Sequence, residues 1–176
     1  MSSAAVLCNG PSRLAFKGKL GYDYVMGCNI PWTTVDGTVI MDGNIMHAWF
    51  AKPNLIQCKE DQVFVTKQAW RTAGELKFQD YIENRYAVII IDTDYKIPEM
   101  YSSGHVAAAL VLNMYVDVID IYGCDSYFTN TVESFTSTYV NDVNKDSEQQ
   151  RIDAWRKHWN ALQNKYSEVE FNFIRL

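Results

Sequence analysis

Ala4-Ala5-Val6-Leu7-Cys8-Asn9-Gly10-Pro11-Ser12 is the stretch on which the fold turns. A small and apolar run of strand length stops at Asn, Gly, Pro and Ser, the residues that reverse a chain. A parallel strand passes into a crossover in this way. Such a turn presents backbone N–H groups and small polar side chains at the carboxyl end of a sheet, where open α/β sheets bind ligands.

The same pattern recurs along the chain. Strands are expected over Ala4–Cys8, Tyr24–Cys28, Thr38–Met41, Gln62–Thr66, Tyr86–Ile91, Asp117–Tyr122 and Val169–Ile174. Several are continuous apolar runs between polar turns, which means burial on both faces and a mostly parallel sheet. Two helices are clear. Ser103–Tyr115 is alanine-rich and carries Val106, Ala107, Leu110, Val111 and Met114 at helical spacing. Asp146–Tyr166 carries Ile152, Trp155, Trp159, Leu162 and Tyr166 three and four apart, a stripe that docks on a sheet. Shorter helices are expected near 43–52 and 80–84. The fold class is α/β: a single Rossmann-like domain over 1–176, with about six or seven strands and helices on both faces. The polar stretch 129–146 reads as a long surface loop or a reduced lid.

Composition narrows the function. The 176 residues suit one domain, and 48% hydrophobic content supports a sizeable core. The net charge is −5 and no Lys/Arg block occurs, so nucleic acid is not an expected partner. An anionic ligand would rely on local backbone dipoles. The four cysteines, Cys8, Cys28, Cys58 and Cys124, form no C-x-x-C pair and read as buried thiols of a reducing compartment. No signal peptide is visible, and no apolar run reaches the roughly 20 residues of a membrane span. A cytoplasmic location follows as the expectation; a homo-oligomer is compatible with the aromatic content.

A second element is Tyr101-Ser102-Ser103-Gly104-His105, which opens the alanine-rich helix. Ser is a preferred N-cap, Gly admits a close approach to the backbone, and a helix N-terminus attracts anions. The alternative is a plain Ser-capped helix. Its rim should be shared with the Asn9–Ser12 turn, the strand end at Asn29 and the strand end Gly123-Cys124-Asp125.

Asn-Gly-Pro-Ser after a first strand, a second strand ending Cys-Asn, Ser-Gly opening a helix, and a later strand ending Gly-x-Asp-x-Tyr form an ordered set. This set resembles the bacterial CMP-sialic-acid-dependent sialyltransferases with one Rossmann-like domain. A wider group of similar domains includes hydroxymethylpterin diphosphokinase-like ones. The resemblance runs from Ala4 to the last strand, through short motifs. It implies that Asn9, Gly10 and Ser12 meet the donor's ribose and phosphate, and that Asn29 contacts its phosphate or sugar. Asn44 is a weaker match for a polar contact to the sugar. Ser103 and Gly104 would hold the nucleotide, Asp125 the cytidine or its ribose, and Tyr127 the leaving phosphate.

The implied activity is a metal-independent glycosyltransferase using a CMP-sugar donor and a glycan hydroxyl acceptor, with no cofactor. A phage or bacterial source fits so short a domain. Two departures stand out: Thr129–Arg151 holds no His where the resemblance expects a base, and Met100 stands where it expects Arg. His105 is the substitute base, its alternative being a histidine at a helix start that packs on a neighbour or faces solvent. His47, one helical turn past Asn44, and His158, beside Trp159 on the last helix, are weaker candidates. Asp92-Thr93-Asp94 reads as a polar strand end, or as a divalent-ion pair if the chemistry is diphosphate transfer. The competing reading is a non-catalytic nucleotide-binding or assembly protein that kept the rim and lost the base.

Overall fold

The computed structural model describes residues 1–56, 62–91, 102–135 and 148–176. Seven parallel strands form one sheet: β1 (Ser3–Leu7), β2 (Tyr24–Cys28), β3 (Gly37–Ile40), β4 (Gln62–Thr66), β5 (Ala87–Ile91), β6 (Val118–Tyr122) and β7 (Glu170–Phe173). Their spatial order is β5-β4-β3-β2-β1-β6-β7. Every neighbouring pair is parallel, so the α/β, Rossmann-like expectation holds with seven strands.

Among the described residues five α-helices cover the sheet: α1 (Gly43–Ala51), α2 (Lys67–Glu75), α3 (Gln79–Glu83), α4 (Ser103–Leu112) and α5 (Glu148–Lys165). Side chains of a strand alternate between faces, and the two halves of the core follow that alternation. Ala5 and Leu7 of β1 join Val25, Ile40, Val63 and Val65 beneath α1, α2 and α3, around the fully buried Trp49. Ala4 and Val6 join Met26, Val39, Ile119 and Ile121 beneath α4 and α5, around the buried Trp159.

α2 starts in a stretch where no helix is expected from the apolar pattern. Thr66 ends β4 and caps the helix, its hydroxyl accepting from Ala69 N–H at 3.1 Å. α4 stops three residues short of its expected end. Tyr115 takes a left-handed φ of 61°, which closes the helix and leaves Met114 outside rather than on the packing stripe.

The expectation of two-sided burial fails at β5. Ala87, Ile89 and Ile90 are exposed, because β5 is an edge strand and α4 packs over β1, β2 and β3 instead. At the other edge Asp120 of β6 accepts from Tyr22 Oη at 2.5 Å and from Asn172 Nδ2 at 3.0 Å. Near the amino ends of the strands, the buried Asp36 pairs with Lys19 and accepts the Val25 N–H at 2.8 Å.

The chain lays β1 to β5 outward on one side, then returns through α4 to place β6 on the other side of β1. The strand order therefore reverses between β1 and β6. Crevices at such a switch point, outside the carboxyl ends of the strands, are where α/β sheets take ligands.

Among the described residues no helix is long and apolar enough to cross a membrane. Cys28 and Cys124 are buried free thiols and Cys8 is half-buried; Cys58 lies outside the described residues.

Candidate functional site at the carboxyl rim of β1 and β6

The turn after β1 and the turn after β6 are bound to each other. Cys8 N–H donates to Tyr122 O at 2.8 Å and Gly10 N–H to Gly123 O at 2.7 Å, which extends the β1–β6 pairing past the strands. Pro11 then opens a short 3-10 turn, Pro11–Ala15, as its fixed φ favours. That turn aims Ser12 inward. The Asp125 Oδ2 atom accepts both Ser12 N–H and Ser12 Oγ–H at 2.9 Å, and Gly123 N–H donates to Ser12 Oγ at 3.0 Å. Ser12 is wholly buried. Its hydroxyl is the keystone between the two turns, and no face of it reaches a ligand.

Gly10 has a matching reason to lack a side chain. A Cβ there would overlap the Asp125 carboxylate and lie 2.5 Å from Gly123 O. The close approach at Gly10 that the resemblance implies for a ligand is made by the protein. Asn9 remains half-buried at the rim, and its carbonyl accepts Phe135 N–H at 2.8 Å. Asp125 is half-buried and opens the 3-10 turn Asp125–Tyr127. Its carboxylate has a second oxygen able to accept a ribose hydroxyl.

The mouth of α4 adjoins this rim. A Cβ on Gly104 would lie 2.7 Å from Cys8 Sγ and 3.6 Å from the Trp159 ring. The end of β1 and the start of α4 thus meet, but the Cys8 thiol and Trp159 fill the depth between them. The hydrogen bond that the Cys8 thiol donates to Cys28, then burial, pushes that thiol well up, so it stays protonated. Asn9 and Ser103, on either side of this contact, are half-buried.

His105 points the other way. It is fully buried; its Nδ1 accepts from Ser102 Oγ at 2.7 Å and faces Ser102 N–H at 3.3 Å. Nε2 lies 3.0 Å from the Trp155 carbonyl, which can only accept, so the proton sits on Nε2. The ring packs at 4.3 Å on Trp159 and at 5.6 Å on His158. Burial pushes the imidazole down to about 3, against the partial support of the Trp155 carbonyl. His105 is therefore a neutral cap that ties α4 to α5, with both nitrogens turned into the protein. The packing alternative met in the sequence describes it, and a base that touches substrate does not.

Tyr127 stacks on Phe173, centroids 3.9 Å apart, and its hydroxyl accepts from Gln163 Nε2 at 3.4 Å. Asn29 closes β2 in a left-handed conformation, φ 60°, a region Asn tolerates. Its N–H donates to Val39 O at 2.8 Å and its carbonyl accepts from Thr38 Oγ1 at 2.8 Å. Asn44 and His47 stand exposed on α1, which packs against α2. Asp92, Asp94 and Met100 lie outside the described residues, as does most of the 129–146 stretch. Among the described residues no group of three or more His, Cys, Asp and Glu stands together as a metal site.

Two arginines that the motif reading passed over shape the rim. Arg156 of α5 reaches back to the turn after β6, donating to Ser126 O at 3.0 Å and Thr129 O at 2.8 Å. Arg13 lies over the rings of Trp32 and Phe135. Arg13 is one residue past the Asn-Gly-Pro-Ser turn, and that position was its signal. Arg156 had none, since its partners are 27 and 30 residues away.

Compared with protein-family models, with curated proteins and with solved structures, the chain matches none.

Proposed function

We propose that this domain binds a pyrimidine nucleoside monophosphate, as CMP or a CMP-sugar, on the carboxyl rim between β1 and β6. The observation that carries the reading is the reversal of strand order at β1/β6, with Asn9, Asp125 and the mouth of α4 gathered there. The half-buried Asp125 carboxylate suits a ribose diol, and the N-terminus of α4 suits a phosphate. The resemblance to the sialyltransferases selects cytidine among the nucleosides.

A second reading adds transfer of the sugar to a glycan hydroxyl. The half-buried Tyr127 favours it, two residues past Asp125 in the same turn, where its hydroxyl would meet a departing phosphate. In that inverting step the acceptor oxygen bonds to the anomeric carbon, the bond to the CMP oxygen breaks, and a base takes the acceptor's proton. The base is not His105, whose nitrogens face Ser102 and Trp155.

Thermal denaturation with CMP, UMP, AMP and CDP, with and without Mg²⁺, tests the reading. At about 100 times its Kd, CMP adds about 2.7 kcal/mol and raises Tm by roughly 5–10 °C for a chain of this size. No shift with any nucleotide overturns the proposal. A shift confined to diphosphates with Mg²⁺ overturns it in favour of diphosphate-transfer chemistry.

A further inference from the structure

Independently of any nucleotide, we propose that Cys8 and Cys28 form a reversible oxidation site, a dithiol that a hydroperoxide converts to a disulfide. The strand register places the pair. Leu7 of β1 stands beside Gly27 of β2, so the next residues, Cys8 and Cys28, come side by side at the carboxyl ends of the two strands. Their side chains lie on the same face of the sheet, in the apolar layer beneath α4. Neighbouring strands run about 4.8 Å apart, inside the Cα separation of about 4.4–6.8 Å that a disulfide spans. The two sulfurs are already in contact, since the Cys8 thiol donates a hydrogen bond to Cys28. Gly104 clears the space on the α4 side of the Cys8 sulfur, where a Cβ would come within 2.7 Å.

Burial separates the roles of the two thiols. Cys28 is 2% exposed, whereas Cys8 is half-buried at the rim, so a small oxidant meets Cys8 first. The Cys8 thiolate attacks one peroxide oxygen and the O–O bond breaks; the departing hydroxide takes up the proton that the thiol released and leaves as water. The Cys28 sulfur then attacks the Cys8 sulfur. The S–O bond breaks, and the hydroxyl leaves with the Cys28 proton as a second water. The dithiol is oxidised to a disulfide and the peroxide is reduced to water. The bond to Cys28, burial and the Asp125 carboxylate all hold the Cys8 thiol protonated, so the first step is slow near neutrality and runs through a minor thiolate population. Cys124 is the poorer partner. The β1–β6 register sets Gly123, not Cys124, beside Cys8, and the Cys124 sulfur accepts the Trp159 indole N–H. A link between Cys8 and Cys28 ties together the strand ends that carry Asn9 and Asn29, the next residue in each case.

Treatment of the reduced chain with hydrogen peroxide, then acid quench, alkylation and tryptic mapping without reductant, tests the proposal. The expected result is a monomer on a non-reducing gel that has lost two of its four thiols. Its peptides are joined through Cys8 and Cys28, with fragmentation spectra separating Cys28 from Cys58 on the same tryptic peptide. Dithiothreitol restores both thiols. The rate of linkage rises about tenfold per pH unit above neutrality, following the thiolate. Cys28→Ala, shown by its melting curve to fold, should lose the link, and Cys124→Ala should keep it; the wild-type map decides without either variant. Cys8 joined to Cys58 or Cys124, or a link between two chains, overturns the proposal. So does Cys8 carried to sulfinic acid while Cys28 stays reduced. Both thiols left reduced in the folded chain, by a peroxide dose that oxidises them in the urea-unfolded chain, overturns it as well.

Discussion

The turn after β1 and the first turn of α4 carry equally suggestive residues, yet the fold uses them differently. Both contain a fully buried polar side chain, Ser12 in one and His105 in the other. At the β1 turn the buried group joins two backbone turns, and the flanking Asn9 and Arg13 remain at the surface beside the crevice. At α4 the buried group turns inward to Ser102 and Trp155, so its nitrogens serve the packing of α4 on α5. Polar residues at a rim therefore divide into those that build the crevice and those that face it. Burial and hydrogen-bond partners, not residue type, make the division.

The sharpest test of that contrast is acid. His105 titrates near 6.5 when unfolded and at about 3 when folded. Between those values the unfolded chain binds the extra proton, so stability is whole above about pH 6.5 and falls as pH drops toward 3. The spread corresponds to at most about 5 kcal/mol. His105→Gln should flatten this limb of the stability–pH profile, measured by urea unfolding. His158, half-buried beside the ring and itself held low by burial, adds a smaller component in the same direction, so a His158→Gln control separates the two. A profile unchanged by His105→Gln would mean that the ring is not the buried neutral cap described.

The next effect concerns the β1 turn. Gly10→Ala places a methyl group against the Asp125 carboxylate and the Gly123 carbonyl, neither of which can retreat without breaking the turn-to-turn bonds. A loss of about 3 kcal/mol is expected from such overpacking. Full stability in Gly10→Ala would show that the two turns are not bound as tightly as their hydrogen bonds state.

The smallest effect is at the α4 mouth. Gly104→Ala meets only the Cys8 thiol at close range, and a loss of about 1–2 kcal/mol is expected. Cys8→Ala removes that obstacle, so the double variant should recover most of the loss, with a coupling energy of about 1 kcal/mol. Additive losses would mean that something other than Cys8 opposes the new methyl group.

Much of the architecture was legible in the sequence because strands buried on two faces write themselves as apolar runs between polar turns. β1, β2 and β6 did so, and their ends identified the rim. β5 misled for a related reason: Val88-Ile89-Ile90-Ile91 reads as a central strand, but its place at the sheet edge leaves Ile89 and Ile90 exposed. α2 was hidden because it begins at the last residue of β4, so Thr66 serves as strand end and cap at once. Of the candidate residues, the motif members Asn9, Gly10, Ser12, Gly104 and Asp125 stand together, with Gly10 and Ser12 engaged by the protein itself. Asn44 was found by its position after β3 and stands apart on α1.

By itself the amino-acid sequence determined the α/β class, the parallel sheet and the turns that end its strands. Local apolar runs and turn residues act within a few positions of each other, and both are visible in one dimension. Only the tertiary structure decided what those turns do. Strand order set β6 beside β1 and brought Asp125 to Ser12, 113 residues away. Helix packing set Trp155 over His105, 50 residues away. Whether a polar atom is consumed inside the protein or offered at its surface depends on such distant partners, and no local pattern carries that information.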